Sequence, residues 1–314
     1  MPTLESYQAP LGMANPHLQT ILSSIGRKIL HIRKDVFGDV ADAQCYELGG
    51  VKLMVHQHIR DDAPLVIIIP GWLGSSNSSY VLSSAKSLWS AGFSVVRMNL
   101  RDHGDTAHLN EGLFHSALID EVVRLVEHLC AEFGHHGSGV LGYSLGGNFA
   151  LRVAKRVPTI STLAICPALS PAQTMWKIDQ NFVYQRYFVH KWRKLWRAKQ
   201  AAFPHRYNFD RAMELSSISA LTDYFVRYHT AFDNTDQYFA AYDLTGSTLE
   251  GVNAHVLATN DDPIIPAAHY QGLPNSVQFE MIDRGGHGAF LESWGLDSWA
   301  DRYAIEFFEQ LNQV

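Results

Sequence analysis

Short apolar runs alternate with longer amphipathic stretches along this chain, and that rhythm predicts an α/β fold. The first runs read as a hairpin, 43–48 and 51–56, joined by Gly49-Gly50. Residues 65–69 follow as the strongest continuous apolar run and read as the next strand. Further strands are predicted at 94–100, 140–143, 162–166, 255–259 and 277–282. Helical spacing separates them near 80–91, at 116–133 and from Gly147 onward, and a last amphipathic helix begins at about Asp297. Strands alternating with helices imply a mostly parallel central sheet flanked by helices, with right-handed crossovers. Between about 170 and 250 the alternation stops, and the chain there is rich in aromatics and helix formers.

Gly142-Tyr143-Ser144-Leu145-Gly146 sits where an apolar strand hands over to a helix. A serine on such a sharp turn is exposed and strained, and the flanking glycines remove side chains that would collide across the bend. Ser144 is therefore the candidate nucleophile. A serine hydroxyl is weak until a base takes its proton. Two later loops carry suitable partners: Asn260-Asp261-Asp262-Pro263 after one strand, and Gly285-Gly286-His287-Gly288 after the last. The 25 residues from Asp262 to His287 leave room for one helix and one strand. His287 would act as base, and an aspartate would fix its tautomer and stabilise its charged form. Asp261 and Asp262 compete for that place. Two backbone N–H groups must face the developing oxyanion. One is expected from Leu145, the other from Trp72 in the loop Pro70-Gly71-Trp72-Leu73-Gly74.

Together these residues resemble the α/β-hydrolase superfamily, and specifically its YheT-like branch of esterases and lipases. Asn15-Pro16-His17-Leu18-Gln19-Thr20 resembles that branch's N-terminal signature, and Gly71-Trp72-Leu73-Gly74-Ser75-Ser76 its oxyanion loop. The resemblance implies an α/β-hydrolase fold across residues 1–314 as a single domain, with a helical lid inserted at about 170–250. It implies a serine hydrolase cleaving carboxylic esters through an acyl-enzyme, with Ser144, Asp262 and His287 as the triad. The residue directly before the proline, Asp262, is favoured over Asp261 on the same ground. Two segments depart from the family pattern: Pro70-Gly71 stands where His-Gly is usual, and Arg101-Asp102-His103-Gly104-Asp105 replaces an Arg-Gly-Cys/Gly segment. Thioester, amide or phospholipid cleavage on the same residues, and a non-catalytic binding module, are the alternatives.

Composition narrows the partners. A chain 46% hydrophobic and 18% charged is globular, and a net charge of −6 argues against nucleic acid. The expected substrate is a small-molecule ester with an apolar acyl or alkyl group, and no cofactor or metal is called for. Cys45, Cys130 and Cys166 lie far apart in apolar runs and read as buried free thiols. His56 and His58, and the pair His135-His136, lack a third ligand and read as solvent-facing. The N-terminus shows no basic-then-apolar leader and no run is long enough to span a bilayer, so a cytoplasmic protein is expected. In the lid, Trp192 and Trp196 share one helical face amid basic residues, which suits packing on the hydrolase body or, alternatively, contact with a membrane surface.

Overall fold

The computed structural model describes residues 6–26, 37 and 39–313; residues 1–5, on which the reading of a leader rests, lie outside them. Helix α1 (Pro16–Ile21) comes first. Strands β1 (Asp42–Leu48) and β2 (Val51–His58) then form the expected hairpin, with Asp42 opposite Gln57 and Leu48 opposite Val51. Gly49 and Gly50 turn it with φ of 62° and 76°, the paired positive angles of a tight two-residue hairpin.

Strands β3 (Leu65–Ile69), β4 (Ser94–Met98), β5 (Ser138–Tyr143), β6 (Ser161–Ile165), β7 (Ala254–Thr259) and β8 (Val277–Ile282) complete one eight-stranded sheet. Its order is β1-β2-β4-β3-β5-β6-β7-β8. The hairpin joins antiparallel, and every pair from β4 to β8 is parallel. Helices α2 (Ser79–Ser90), α3 (Ile119–Phe133) and α4 (Leu145–Arg156) make the crossovers between β3 and β6. Helices α5 (Pro171–Gln180), α6 (Phe182–Ala202), α7 (Ile218–His229) and α8 (Thr235–Ala240) lie between β6 and β7, and α9 (Trp299–Phe308) follows β8.

Alternate strand residues feed two cores, one on each face of the sheet. Val66, Ile68, Val95, Leu141 and Leu163 pack with Val81, Ala85 and Leu88 of α2 and Trp299 and Tyr303 of α9. Ile67, Ile69, Val96 and Val140 pack with α3 and α4 through Val122, Leu125, Leu151 and Val153. From β3 the chain steps to β4, then returns across β3 to β5. The loops leaving β3 and β5 therefore diverge at a switch point beside the carboxyl ends of neighbouring strands, where α/β sheets place their ligands.

Several elements end earlier than the pattern suggests. Strand β4 stops at Met98, and Asn99 beyond it donates its amide to the Met54 carbonyl at 2.9 Å while its side-chain oxygen accepts from the Ser76 amide at 2.8 Å. Helix α3 starts at Ile119, since Ser116 is spent on Tyr238 and Arg152. His58 is buried and stacked 4.1 Å from the Phe37 ring, so it is not solvent-facing, while His56 is half-buried; burial lowers the pKa of both. Cys166 is buried, whereas Cys45 is exposed because it lies on the outer face of edge strand β1. Among the described residues no helix is long and apolar enough to cross a membrane.

The inserted helices have their own aromatic core. Trp196 is buried with its ring stacked 5.1 Å from Phe209, and Trp192 packs 4.8 Å from Trp196. The tryptophan face is thus turned inward, Trp192 against Trp72 of the loop after β3 and Trp196 against rings of the insertion itself. The basic residues do not form one wetted face, because Lys199 is wholly buried. Its ammonium donates to Asp102 Oδ1 at 2.8 Å and to the carbonyls of Ala107, Asn110 and Gly112. This pair ties α6 to the loop after β4. Breaking a buried pair by removing one partner costs about 3–5 kcal/mol. Lys199→Met is expected to lower unfolding stability by about that amount in urea, while Lys194→Met on the exposed side of α6 changes it by less than about 0.5 kcal/mol. Equal stability of the two variants would show that the tie carries nothing.

Candidate active site

Ser144 lies between the end of β5 and the first turn of α4, with φ 55° and ψ −116°. A β-carbon on Gly146 would sit 2.2 Å from the Ile69 carbonyl oxygen, and one on Gly142 2.2 Å from the Gly146 carbonyl oxygen. Neither position can carry a side chain while β3, β5 and α4 keep this spacing. The bend leaves Ser144 in the left-handed region, which for a residue other than glycine costs about 1–3 kcal/mol. Its own amide is used, donating to the Ile165 carbonyl at 2.9 Å.

The loop after β3 runs alongside, because Ile69 pairs with Gly142. The Gly71 amide donates to the Tyr80 hydroxyl at 2.9 Å, and the Leu73 amide to His103 Nε2 at 3.0 Å. Among the described residues the Trp72 amide between them has no acceptor, and neither does the Leu145 amide at the start of α4. The Trp72 ring is held by stacking on Phe188 at 5.3 Å and by the edge of Trp192 at 5.0 Å, both from α6.

His287 Nδ1 pairs with Asp262 Oδ2 at 2.7 Å. The other oxygen of Asp262 accepts from the Ile264 and Ile265 amides at 2.7 and 2.8 Å, and the side chain is fully buried. A carboxylate so held accepts a hydrogen bond from Nδ1–H, which leaves the imidazole lone pair on Nε2. Asp261 goes elsewhere, accepting from the Gly286 amide at 2.9 Å. The geometry therefore favours Asp262 over its neighbour. Cys166, Asp262 and His287 hold a sulfur, an oxygen and a nitrogen within 4.8 Å of one another. Burial, reinforced by Asp262, pushes the Cys166 thiol up.

The N-terminal motif explains itself at this point. Asn15 caps α1 by accepting from the amides of His17 and Leu18, and Pro16 occupies its first turn. Gln19 is fully buried, donating to Met13 and Leu291 carbonyls and accepting from the Leu291 amide. Thr20 Oγ1 accepts from the His287 amide at 2.9 Å. Helix α1 is thus a brace for the histidine loop, a role that residue types alone did not disclose. Gly286, with φ 61°, passes so close that a β-carbon would lie 2.7 Å from the Pro16 carbonyl oxygen.

Ser144, Leu145, Trp72 and His287 line one cavity of about 430 Å³, whose wall also takes residues from α1, the start of α2, the end of β6, α5 and α6. Asp262 stands behind His287, out of that lining. The lining is largely apolar, with Met175, Ile178, Val183 and Phe188 contributed by the insertion.

A model of the alpha/beta hydrolase family matches residues 66–303, and the chain belongs to that family. Within it the chain is similar to the protein of Escherichia coli (strain K12) named "Putative esterase YheT", 25% identical over 295 residues that cover 89% of this chain and 85% of that one. It is also similar to Embryogenesis-associated protein EMB8 of Picea glauca, 21% identical over 336 residues, covering 96% and 72% of the two chains. Among solved structures, the Pyrococcus furiosus esterase Pf2001 aligns with a TM-score of 0.59 at 13% identity over 99% of both chains. Carboxylesterase CesB of Bacillus subtilis aligns at 0.53 and 14% identity over 91% and 98%. At these identities the structural likeness concerns the fold.

The segment that departs from the family pattern turns out to support the candidate site. His103 is buried, its Nδ1 against the Arg101 carbonyl at 2.8 Å and its Nε2 accepting from Leu73, so it is a neutral ring holding the loop that carries Trp72. Burial pushes it down to about 4; the Arg101 carbonyl opposes that and Lys191 adds to it. A histidine forced to stay neutral contributes stability in full above its unfolded value of about 6.5, and loses it as pH falls towards 4. Between pH 7 and 5 the loss from this group is about 2 kcal/mol. His103→Gln is expected to show a shallower fall in urea stability than wild type over that range, by about that amount. Parallel curves for the two proteins would mean that His103 is not a buried neutral acceptor.

Proposed function

We propose that this chain is a serine hydrolase that cleaves carboxylic esters through an acyl-enzyme on Ser144. The observation that carries the reading is the 2.7 Å bond between Asp262 and His287, beside a cavity that Ser144 also lines from a strained turn. Ser144 Oγ attacks the ester carbonyl carbon while its proton passes to His287 Nε2. The carbonyl oxygen becomes an oxyanion that accepts from the Trp72 and Leu145 amides, neither of which has an acceptor among the described residues. The tetrahedral carbon then expels the alkoxide, which leaves as the alcohol with the proton from His287. Water attacks the acyl carbon in the second half, gives its proton to His287, and the acid departs as Ser144 recovers its hydrogen. Asp262 keeps the Nδ1 tautomer and stabilises the imidazolium in both halves.

The apolar lining supports an acyl or alkyl group of small-molecule size as the bound moiety. The insertion of α5 to α8, within the stretch of about 170–250, acts in this reading as a lid on a single hydrolase domain spanning the chain. Its α6 supplies both the cavity wall and the stack that holds Trp72.

A fluorophosphonate probe is expected to label wild type on Ser144 and not Ser144→Ala. On a 4-nitrophenyl ester, Ser144→Ala should lower kcat by about a million-fold and Asp262→Asn by about ten-thousand-fold. Asp261→Asn should fall by much less than Asp262→Asn. Folded wild type that neither labels nor turns over such esters would overturn the reading.

A further inference from the structure

Of the described residues lining the cavity, Lys191 on α6 is the one lysine, arginine, aspartate or glutamate. It is half-buried, and its ammonium sits 5.1 Å from the centre of the Tyr187 ring, which also lines the cavity. No carboxylate among the described residues pairs with it; the charge acting on it is a like one, Lys194. Burial pushes it down to about 8, as expected of a cation that has lost water without gaining a counter-ion.

Lys199, two turns further along α6, shows what a lysine receives when its work is structural: one carboxylate and three carbonyls, all within the protein. Lys191 has a ring face and an open cavity. An ammonium so placed lacks an anion, and the ligand is the remaining source of one. Met175, Ile178 and Phe188 meanwhile offer an apolar chain its wall.

We propose that Lys191 makes this cavity select esters whose apolar chain carries an anionic group, a carboxylate or a phosphate, over neutral esters of the same length. The proposal rests on the esterase reading and deepens it. An uncharged ligand would leave the ammonium partly desolvated and unpaired, whereas a monoanion would form a charge-assisted bond in a poorly hydrated setting.

Two arms separate this proposal from the reading beneath it. In the binding arm, full-length Ser144→Ala is titrated with monomethyl adipate and with dimethyl adipate, followed by the fluorescence of the tryptophans beside the cavity. The monoanion should bind at least about tenfold more tightly, and adding Lys191→Met should erase the difference while Lys191→Arg retains it. In the kinetic arm, the protein with Ser144 intact is given mono-4-nitrophenyl adipate, its methyl ester, and the analogue ending in a phosphonate. The charged substrates should have the lower KM, Lys191→Glu should reverse that order, and the better of the two anions identifies the source. Equal binding of the two adipates, or a Lys191→Met effect that is the same on charged and neutral ligands, overturns the proposal. Discrimination in binding with no turnover of any ester would instead overturn the esterase reading and leave the anion site standing.

Discussion

The carbonyl oxygen of Ile69 leaves no space for a side chain on Gly146, and the site is arranged around that contact. It forces α4 to start tightly against the ends of β3 and β5, and so forces the bend at Ser144. Because Ile69 and Gly142 are paired across neighbouring strands, the loop carrying Trp72 leaves the sheet beside the same bend. The serine and the amides of Trp72 and Leu145 are therefore brought close by backbone packing, before any side chain is considered. The strain at Ser144, about 1–3 kcal/mol, is affordable only because the buried strands over-determine the turn.

Around this rigid centre the other groups are set by polar contacts that each remove a freedom. His287 is gripped at its ring by Asp262 and at its amide by Thr20, and Asp262 is in turn gripped by two amides of its own loop. Trp72 is flanked by amides tied to Tyr80 and His103. The segment of His103 is fastened to the insertion by the Lys199–Asp102 pair. These ties link α1, the loop after β4 and α6 to the same few atoms.

Much of this was legible in the residues. The pentapeptide around Ser144 and the order of the later aspartate and histidine loops depend on backbone patterns that only a few residue types satisfy, glycine above all. The continuous apolar run of 65–69 marked a strand, and in the structure all five of its residues are buried. What stayed hidden were roles that depend on distance across the fold. Gln19 and Thr20 could be seen as a motif but not as the brace of a loop some 270 residues away. Lys199 reads as an exposed helix lysine, because its partner Asp102 is 97 positions distant. The same is true of His58, whose alternation on a strand suggested solvent while Phe37 covers it. The segment 101–105 looked like a departure from a pattern, and it is the support of the loop holding Trp72.

The central claim is that Ser144, His287 and the amides of Trp72 and Leu145 act on one carbon. The measurement that reaches it most directly is a crystal structure of the protein after reaction with an alkyl fluorophosphonate. The account predicts phosphorus bonded to Ser144 Oγ, its free oxygen accepting from the Trp72 and Leu145 amides, and the alkyl chain between Ile178 and Phe188. Phosphorus on another residue, or a free oxygen turned away from both amides, would contradict it.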